Sequence, residues 1–247
     1  MINQKIINAT LHLADTTLIL AQKNSEWCAH GPVLEQDIAI TNITLDLIGQ
    51  SRMFYQYAAE LINEVENKTE TEDTLAYFRS EREFKNFLIA ELPNGDWAQT
   101  ILRQFFFSSF QQLLFEKLQH IEDKQISAIA VKSLKEINYH VKWSSEWVIR
   151  LGDGTSESHS RMVKAIEILW PYTGEFFNAE ENDLTEVEKI KTNWIQKIEA
   201  VFIEANLLIP ENVFMQSGGK QGFHTEHLGY ILTEMQSLQR AYPGLEW

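Results

Sequence analysis

The stretch PVLEQDIAITNITLDLIGQSRMFYQYAAELINEV, residues 32–65, decides the fold because it is long and has the residue pattern of one continuous helix. Pro32 stands at its start, where the first turn of a helix tolerates proline. Its apolar residues recur at intervals of three and four, the spacing of one helix face. They include Ala39, Ile43, Met53, Tyr57 and Leu61. A helix of this length predicts an all-α bundle.

Similar patterns on both sides predict further helices joined by short breaks. They cover about 2–23, 97–120, 125–151, 156–178 and 225–241. Asp96 caps the helix over 97–120, and Pro171 is expected to kink the helix over 156–178. A shorter helix, capped by Thr71 or Asp73, passes through Tyr77 and Phe84, and another begins with a capping box at 185–188 and ends near 208. The phenylalanine-rich helix over 97–120 is apolar around most of its circumference, which predicts a central position. We expect one all-α domain over residues 1–247.

Charge and cysteine content limit the classes of function. A formal charge of −14 argues against a nucleic-acid partner, because phosphate binding requires a dense Lys/Arg surface. The single cysteine, Cys28, cannot form an internal disulfide. No window approaches the ~18 consecutive apolar residues of a membrane span. We therefore expect a cytoplasmic protein with neither nucleic-acid nor membrane partners.

Polar residues on the long helix suggest either ordinary edge hydrogen bonding or a metal site. Glu35, Asn42, Asp46 and Gln50 fall on one side of it. The di-iron plan takes one Glu from each of two helices and a Glu-x-x-His pair from each of two others. Asp15 and Asp46 stand at two candidate positions, with Gly49 where the histidine would be.

The second half of the chain offers fewer ligands. Glu136 stands at the edge of an apolar arc, and Tyr139 follows it at the position of the second histidine. The preceding helix supplies Phe105, Phe106, Phe107 and Ser108 at the corresponding level and no carboxylate. Glu136 and His140, four residues apart, share a helix face and keep a single-ion site open as an alternative.

These counts predict a degenerate di-iron site with remnant positions at Asp15, Asp46 and Glu136 and with His140 nearby. Buried carboxylates without compensation are costly, so we expect them to pair with Arg, Lys or hydroxyl groups.

Two other clusters attract notice. Arg79, Arg82 and Lys85 recur every three residues around Phe84, which favours a solvated helix face but leaves open the docking of a nucleotide phosphate or of an acidic partner loop. His224 and His227 are three apart, a spacing that fits capping and packing better than a metal pair.

Several stretches carry a resemblance to a known family. They are residues 26–30 (EWCAH), 42–50 (NITLDLIGQ), 93–95 (PNG) and 218–229 (GGKQGFHTEHLG). They resemble the C subunits of the bacterial ring 1,2-phenylacetyl-CoA epoxidases (phenylacetate-CoA oxygenases), which are ferritin-like proteins. The similarity runs from the first helix to Trp247.

This resemblance implies a ferritin-like four-helix bundle core with additional helices. It also implies a structural, non-catalytic subunit that supports a homologous A subunit, with the di-iron centre and the oxygen- and NADPH-dependent epoxidation carried by that partner and no cofactor in this chain. With this family, we predict that Arg79, Arg82, Phe84 and Lys85 contact a CoA phosphate or the A subunit. Two alternatives stay open: a metal-binding ferritin-like oxidase in its own right, and a self-associating helical scaffold.

Overall fold

Helices make up all the regular secondary structure in residues 2–245, the part of the chain that the computed structural model describes. The α-helices are α1 (Ile2–Ser25), α2 (Leu34–Glu66), α3 (Glu72–Tyr77), α4 (Leu88–Glu91), α5 (Trp97–Leu118), α6 (Lys124–Gly152), α7 (Ser156–Leu169), α8 (Lys191–Glu204) and α9 (Glu226–Ala241). Short 3-10 helices occupy Glu81–Glu83, Trp170–Phe177, Val187–Ile190 and Gly219–Gln221. The predicted all-α class is confirmed.

The chain divides into two compact units. Unit 1 comprises the residues up to Pro93 together with those from Gly218 onward, and unit 2 comprises Asn94–Ser217. Each unit contains a pair of long packed helices, α1 with α2 in unit 1 and α5 with α6 in unit 2. Such pairs are the building blocks of a ferritin-like bundle. One domain over 1–247 stays a prediction.

In unit 1, the buried face of α2 overlaps the predicted face only in part, because Ala39, Ile43 and Leu61 are buried whereas Met53 and Tyr57 are half-buried. Ile43, Leu47 and Phe54 are fully buried along it. The Ser51 hydroxyl donates a hydrogen bond of 3.0 Å to the Ala14 carbonyl oxygen of α1, which fixes the two helices in register. The helix ends at Asn67, whose left-handed conformation is one that asparagine tolerates.

The glycines at 218–222 allow the C-terminal part of unit 1 to lie directly against residues 82–88. A Cβ atom on Gly219 would stand 2.1 Å from the Asn86 carbonyl oxygen. Gly222 has φ +80°, and a Cβ there would stand 2.3 Å from the Arg82 carbonyl oxygen. Side chains at these two positions would force the backbones apart, so the glycines serve close packing.

In unit 2, α5 is buried along nearly its whole length, as its apolar circumference predicts. Phe106 lies at the centre of an aromatic cluster, with ring centroids 5.7 Å from both Trp170 and Trp194. The Trp194 indole also donates a hydrogen bond of 3.1 Å to the Phe106 carbonyl oxygen. This cluster anchors α8 and the 3-10 helix after α7 onto α5.

Two helix boundaries in unit 2 differ from the sequence prediction. Pro171 converts the chain from α-helix to the 3-10 helix Trp170–Phe177 instead of kinking a continuous α-helix, because proline removes a backbone donor. The capping box predicted at 185–188 is absent, since Val187–Ile190 is a 3-10 helix that leads into α8 without a side-chain cap. Within residues 2–245, none of the helices combines the length and apolarity needed to cross a membrane.

Two glycines of unit 1 give opposite expectations for substitution by alanine. Gly222→Ala should lower the free energy of unfolding by about 1–3 kcal/mol, because its left-handed backbone and the Arg82 carbonyl exclude a Cβ. Gly49→Ala should raise it by up to about 1 kcal/mol, since a Cβ there meets nothing within 4 Å and alanine favours helix. Urea denaturation of both variants measures the difference, and equal changes would contradict the close packing at residue 222.

Candidate functional site

The carboxylate of Asp15 is the centre of a buried polar cluster in unit 1. Asp15 is fully buried on α1. Its Oδ1 accepts hydrogen bonds from the Tyr55 hydroxyl at 2.5 Å and from Arg79 Nη2. Its Oδ2 accepts hydrogen bonds from Arg79 Nη1 at 3.2 Å and from the Lys85 backbone N–H at 2.8 Å. Four donors thus occupy the roughly four lone-pair positions of the carboxylate.

Arg79 is held over this carboxylate by contacts on every side of its guanidinium. The Cζ atom lies 4.4 Å from the ring centroid of Phe84 and 5.4 Å from that of Tyr55. Nη1 also donates to the Glu83 carbonyl oxygen at 3.0 Å. The Arg79 side chain is only 10% exposed, so solvent screens the pair weakly.

The protonation states in this cluster follow from burial and charge. Burial lowers the pKa of Arg79, but the adjacent Asp15 carboxylate outweighs it and raises that pKa above its ordinary value. Burial, reinforced by the Asp15 charge, raises the pKa of Tyr55 well above its usual range. Arg79 is therefore a cation, and Tyr55 is a neutral phenol that donates a hydrogen bond to Asp15.

The structure confirms one expectation about these residues and overturns another. Asp15 pairs with an arginine and a hydroxyl group, as a buried carboxylate was expected to do. The predicted solvated helix face at 79–85 is wrong, because α3 ends at Tyr77 and only Glu81–Glu83 forms a 3-10 turn. The helix does not continue through Phe84, and Arg79, which follows α3, lies against Asp15 and not in solvent.

This turn separates the four residues of the predicted substrate or partner contact, so they do not form one surface. They are Arg79, Arg82, Phe84 and Lys85. Phe84 is fully buried beneath the Arg79 guanidinium. Arg82 is exposed and Lys85 is half-buried. Contact with a CoA phosphate or with a partner stays a prediction, and Arg82 is the best-exposed member of the group.

The second remnant position on α2 differs from the sequence interpretation. Asp46 is half-buried, Gln50 is fully buried, and Glu35 and Asn42 are exposed, so the four do not form one buried polar face. Gly49 is exposed, and a Cβ there would meet nothing within 4 Å. A histidine at this position would extend into open space, so Gly49 does not mark a ligand missing from the interior.

In unit 2, the structure separates the candidates by burial. His140 is fully buried on α6, Glu136 is half-buried, and Tyr139 is exposed. The carboxylate of α5 (Trp97–Leu118) is that of Glu116, which is exposed. Phe105, Phe106, Phe107 and Ser108 are buried, as a central helix requires.

The described residues of the two units assemble no metal-binding cluster. Among the residues from 2 to 245, no group of three or more His, Cys, Asp or Glu side chains is placed to hold a metal ion. Asp15 in particular would have to release Arg79 before it could bind one. The donor set in this part of the chain therefore does not fit a di-iron centre.

A second buried ion pair in unit 1 has no counterpart in the sequence predictions. His224 Nδ1 lies 2.9 Å from Glu91 Oε2, and His224 Nε2 lies 2.9 Å from the Phe84 carbonyl oxygen. The other Glu91 oxygen accepts the Thr225 backbone N–H at 2.6 Å. Since Glu91 and Phe84 offer only acceptors, both imidazole nitrogens must donate, which requires the charged form of His224.

The pair ties the start of α9 to α4. Burial lowers the pKa of His224, but the hydrogen bond to Glu91 and the Glu91 charge, together with the Phe84 carbonyl oxygen and the charge of Glu81, raise that pKa above its ordinary value. Thr225 caps α9 by accepting from the His227 backbone N–H. His224 is therefore packed and hydrogen-bonded in the interior of unit 1, and the cap of α9 is formed by Thr225 between the two histidines.

Comparison with known proteins gives matches over nearly the whole chain. A family model described as phenylacetic acid catabolic protein matches residues 2–247. The chain is also 45% identical to a protein of Escherichia coli (strain K12) that is named as the C subunit of 1,2-phenylacetyl-CoA epoxidase. That alignment covers 96% of this chain and 97% of the E. coli protein.

Removal of the Arg79 charge should destabilise the chain strongly. Arg79→Met leaves the buried Asp15 carboxylate without its cation and should lower the free energy of unfolding by about 3–5 kcal/mol. The double variant Asp15→Asn, Arg79→Met should recover part of this loss, because it removes the uncompensated charge as well. Arg52→Met is the matched control, since Arg52 forms a surface pair with Glu72 and should cost under about 1 kcal/mol. Urea denaturation measures all three, and equal losses from Arg79→Met and Arg52→Met would refute the role of the pair.

The Glu91–His224 pair should make stability depend on pH. The pKa of His224 in the folded chain is higher than its unfolded value of about 6.5. The pair therefore stabilises the fold fully below about pH 6.5, and this stabilisation is lost as the pH rises through the folded pKa of His224. The difference in unfolding free energy between the wild type and His224→Gln should therefore shrink as pH is raised from about 6 to about 9. A difference that stays constant or grows with pH would contradict a charged His224.

Proposed function

The chain belongs to the phenylacetic acid catabolic protein family, and we propose that it is a non-catalytic structural subunit of a ring 1,2-phenylacetyl-CoA epoxidase complex. In this role it binds and stabilises the homologous A subunit, which carries the di-iron centre. Its similarity to an E. coli protein named as the C subunit of that enzyme supports membership of such a complex, and the word subunit implies partner chains.

The observation that carries the non-catalytic role is the saturation of Asp15. A carboxylate that ligates iron needs a free lone pair directed at the metal. In this chain both Asp15 oxygens already accept two donors each, and the Arg79 guanidinium supplies the positive charge that a metal would otherwise bring. The ion pair thus replaces metal binding with an interaction that stabilises unit 1.

In this complex the A subunit carries out the epoxidation, and this chain stabilises the A subunit. Iron, oxygen and the electrons from NADPH act at the A subunit, and this chain needs no cofactor. Its cytoplasmic location is part of the proposal, and the exposed free thiol of Cys28 is consistent with a compartment in which thiols stay reduced.

A metal-binding oxidase is the competing function, and it depends on Glu136 and His140. The favouring observation is that His140 is fully buried one turn from the half-buried Glu136. Two ligands on one helix are fewer than iron requires, so this function needs further donors, which residues 2–245 do not group with them.

The function is tested by measuring iron and stability in the reconstituted pair. The purified chain, incubated with ferrous iron and desalted, should retain far less than one iron per chain, because Asp15 is occupied. Added to the A subunit, it should raise the melting temperature and the iron retention of that subunit. Stoichiometric iron that is lost in His140→Ala would favour the oxidase instead. A homodimer that leaves the A subunit unbound and unchanged would favour a scaffold without an epoxidase partner.

A further inference from the structure

The outer side of α2 carries a row of apolar side chains that unit 1 does not use. Leu34, Ile38, Leu45 and Ile48 are 72%, 52%, 60% and 38% exposed. Thr41, which is half-buried, fills the interval between Ile38 and Leu45. We call these five residues the outer stripe of α2.

The spacing within the outer stripe is that of a helix-packing seam. Its members follow one another at intervals of four, three, four and three residues, the alternation that places side chains along one line of a helix. Isolated exposed apolar residues are common on protein surfaces and need no explanation. A regular row along about four turns is different, because it matches the a and d positions against which another helix packs.

Gly49 lies beside the stripe, and because it has no side chain it leaves a shallow depression next to Leu45 and Ile48. A Cβ at this position would meet nothing within 4 Å, so no contact within the described chain requires a glycine there. Glycine in a helix interior costs roughly 1 kcal/mol relative to alanine. An approaching helix accounts for it, because a missing side chain allows two backbones to come closer.

The charges around the stripe indicate which kind of helix fits. Glu35 lies on one side of the stripe, with Asp46 further round the helix on that side, and Asp37, which also accepts the Gly31 backbone N–H at 2.9 Å, lies on the other. The cation at its C-terminal end, Arg52, already contacts Glu72. A helix with an apolar row flanked by Lys and Arg therefore complements this surface.

The same charges disfavour a second copy of this chain. Two copies packed through the stripe would bring the acidic edges of both together, and each chain carries a formal charge of −14. Like charges facing each other across an interface are strongly unfavourable. The occupant must therefore be a different chain.

We propose that the outer stripe of α2 docks a helix of the partner subunit, a helix with Leu, Ile or Val in a three-four spacing and with Lys or Arg on its flanks. This inference rests on the proposed function and gives it a specific surface. The affinity comes from burial of the stripe beside Gly49, and the acidic edges select the partner over a second copy of this chain.

Substitutions on the stripe test the proposal against a matched control. Leu45→Lys places a charge in the centre of the apolar row, and Gly49→Gln fills the space beside it with a good helix former. Ile203→Lys on α8 introduces the same charge at a side chain that is 76% exposed and outside the stripe. Binding of each variant to the purified A subunit is measured by titration calorimetry, with circular dichroism and melting temperature as checks of folding.

Leu45→Lys and Gly49→Gln should each weaken binding by at least tenfold, whereas Ile203→Lys should leave it unchanged. Gly49→Gln should at the same time leave the isolated chain as stable as the wild type or more so, which separates loss of docking from loss of folding. Wild-type binding should also weaken as salt is raised, because charge complementarity is screened.

The failures of the two proposals are distinguishable. If the wild type binds the A subunit and both stripe variants bind equally well, the docking surface is wrong and the structural role stands. If the wild type does not bind the A subunit, the proposed function fails first. A wild-type homodimer that Leu45→Lys converts to monomer would show that a second copy occupies the stripe and would overturn the choice of partner.

Discussion

The buried ion pair between Asp15 and Arg79 is the interaction on which unit 1 depends. An ionised carboxylate in a protein interior is highly unfavourable unless charge and hydrogen bonds compensate it. Asp15 obtains that compensation from three segments: Tyr55 of α2, Arg79 after α3, and the Lys85 backbone N–H. The turn that follows α3 at Tyr77 carries Arg79 to the Asp15 carboxylate of α1.

The segment after that turn links the cluster to the C-terminal part of unit 1. Phe84 packs its ring beneath Arg79, and its carbonyl oxygen lies 2.9 Å from the His224 ring. His224 is in turn paired with Glu91, and Gly219 and Gly222 let the C-terminal backbone lie against residues 82–88. Two buried ion pairs therefore share one stretch of chain. Together they join α1, α4 and α9.

Much of the fold could be predicted because local rules decide it. The long helix after Pro32, the cap at Asp96 and the capping residue Thr71 were all expected from residue pattern and were found. The pairing of Asp15 with an arginine and a hydroxyl was also expected in kind, since the cost of a buried carboxylate is general. The identity of its partners was not, because Arg79 is 64 residues away and had been assigned to a solvated helix. Gly49 was misread for a related reason: helical spacing alone did not show which side of α2 faces the core.

The sequence by itself determined the helical class, most helix boundaries, the acidic surface and the resemblance to an epoxidase subunit family, because these depend on neighbours along the chain or on extended sequence similarity. Only the tertiary structure decided that Asp15 is saturated, that Arg79 is a buried counter-ion, that His224 is charged, and that Gly49 and the outer stripe of α2 face outward. The physical reason is that the burial of a side chain, its pKa and the hydrogen bonds that it has already formed depend on the atoms around it. In this protein those atoms come from segments that lie far apart in sequence.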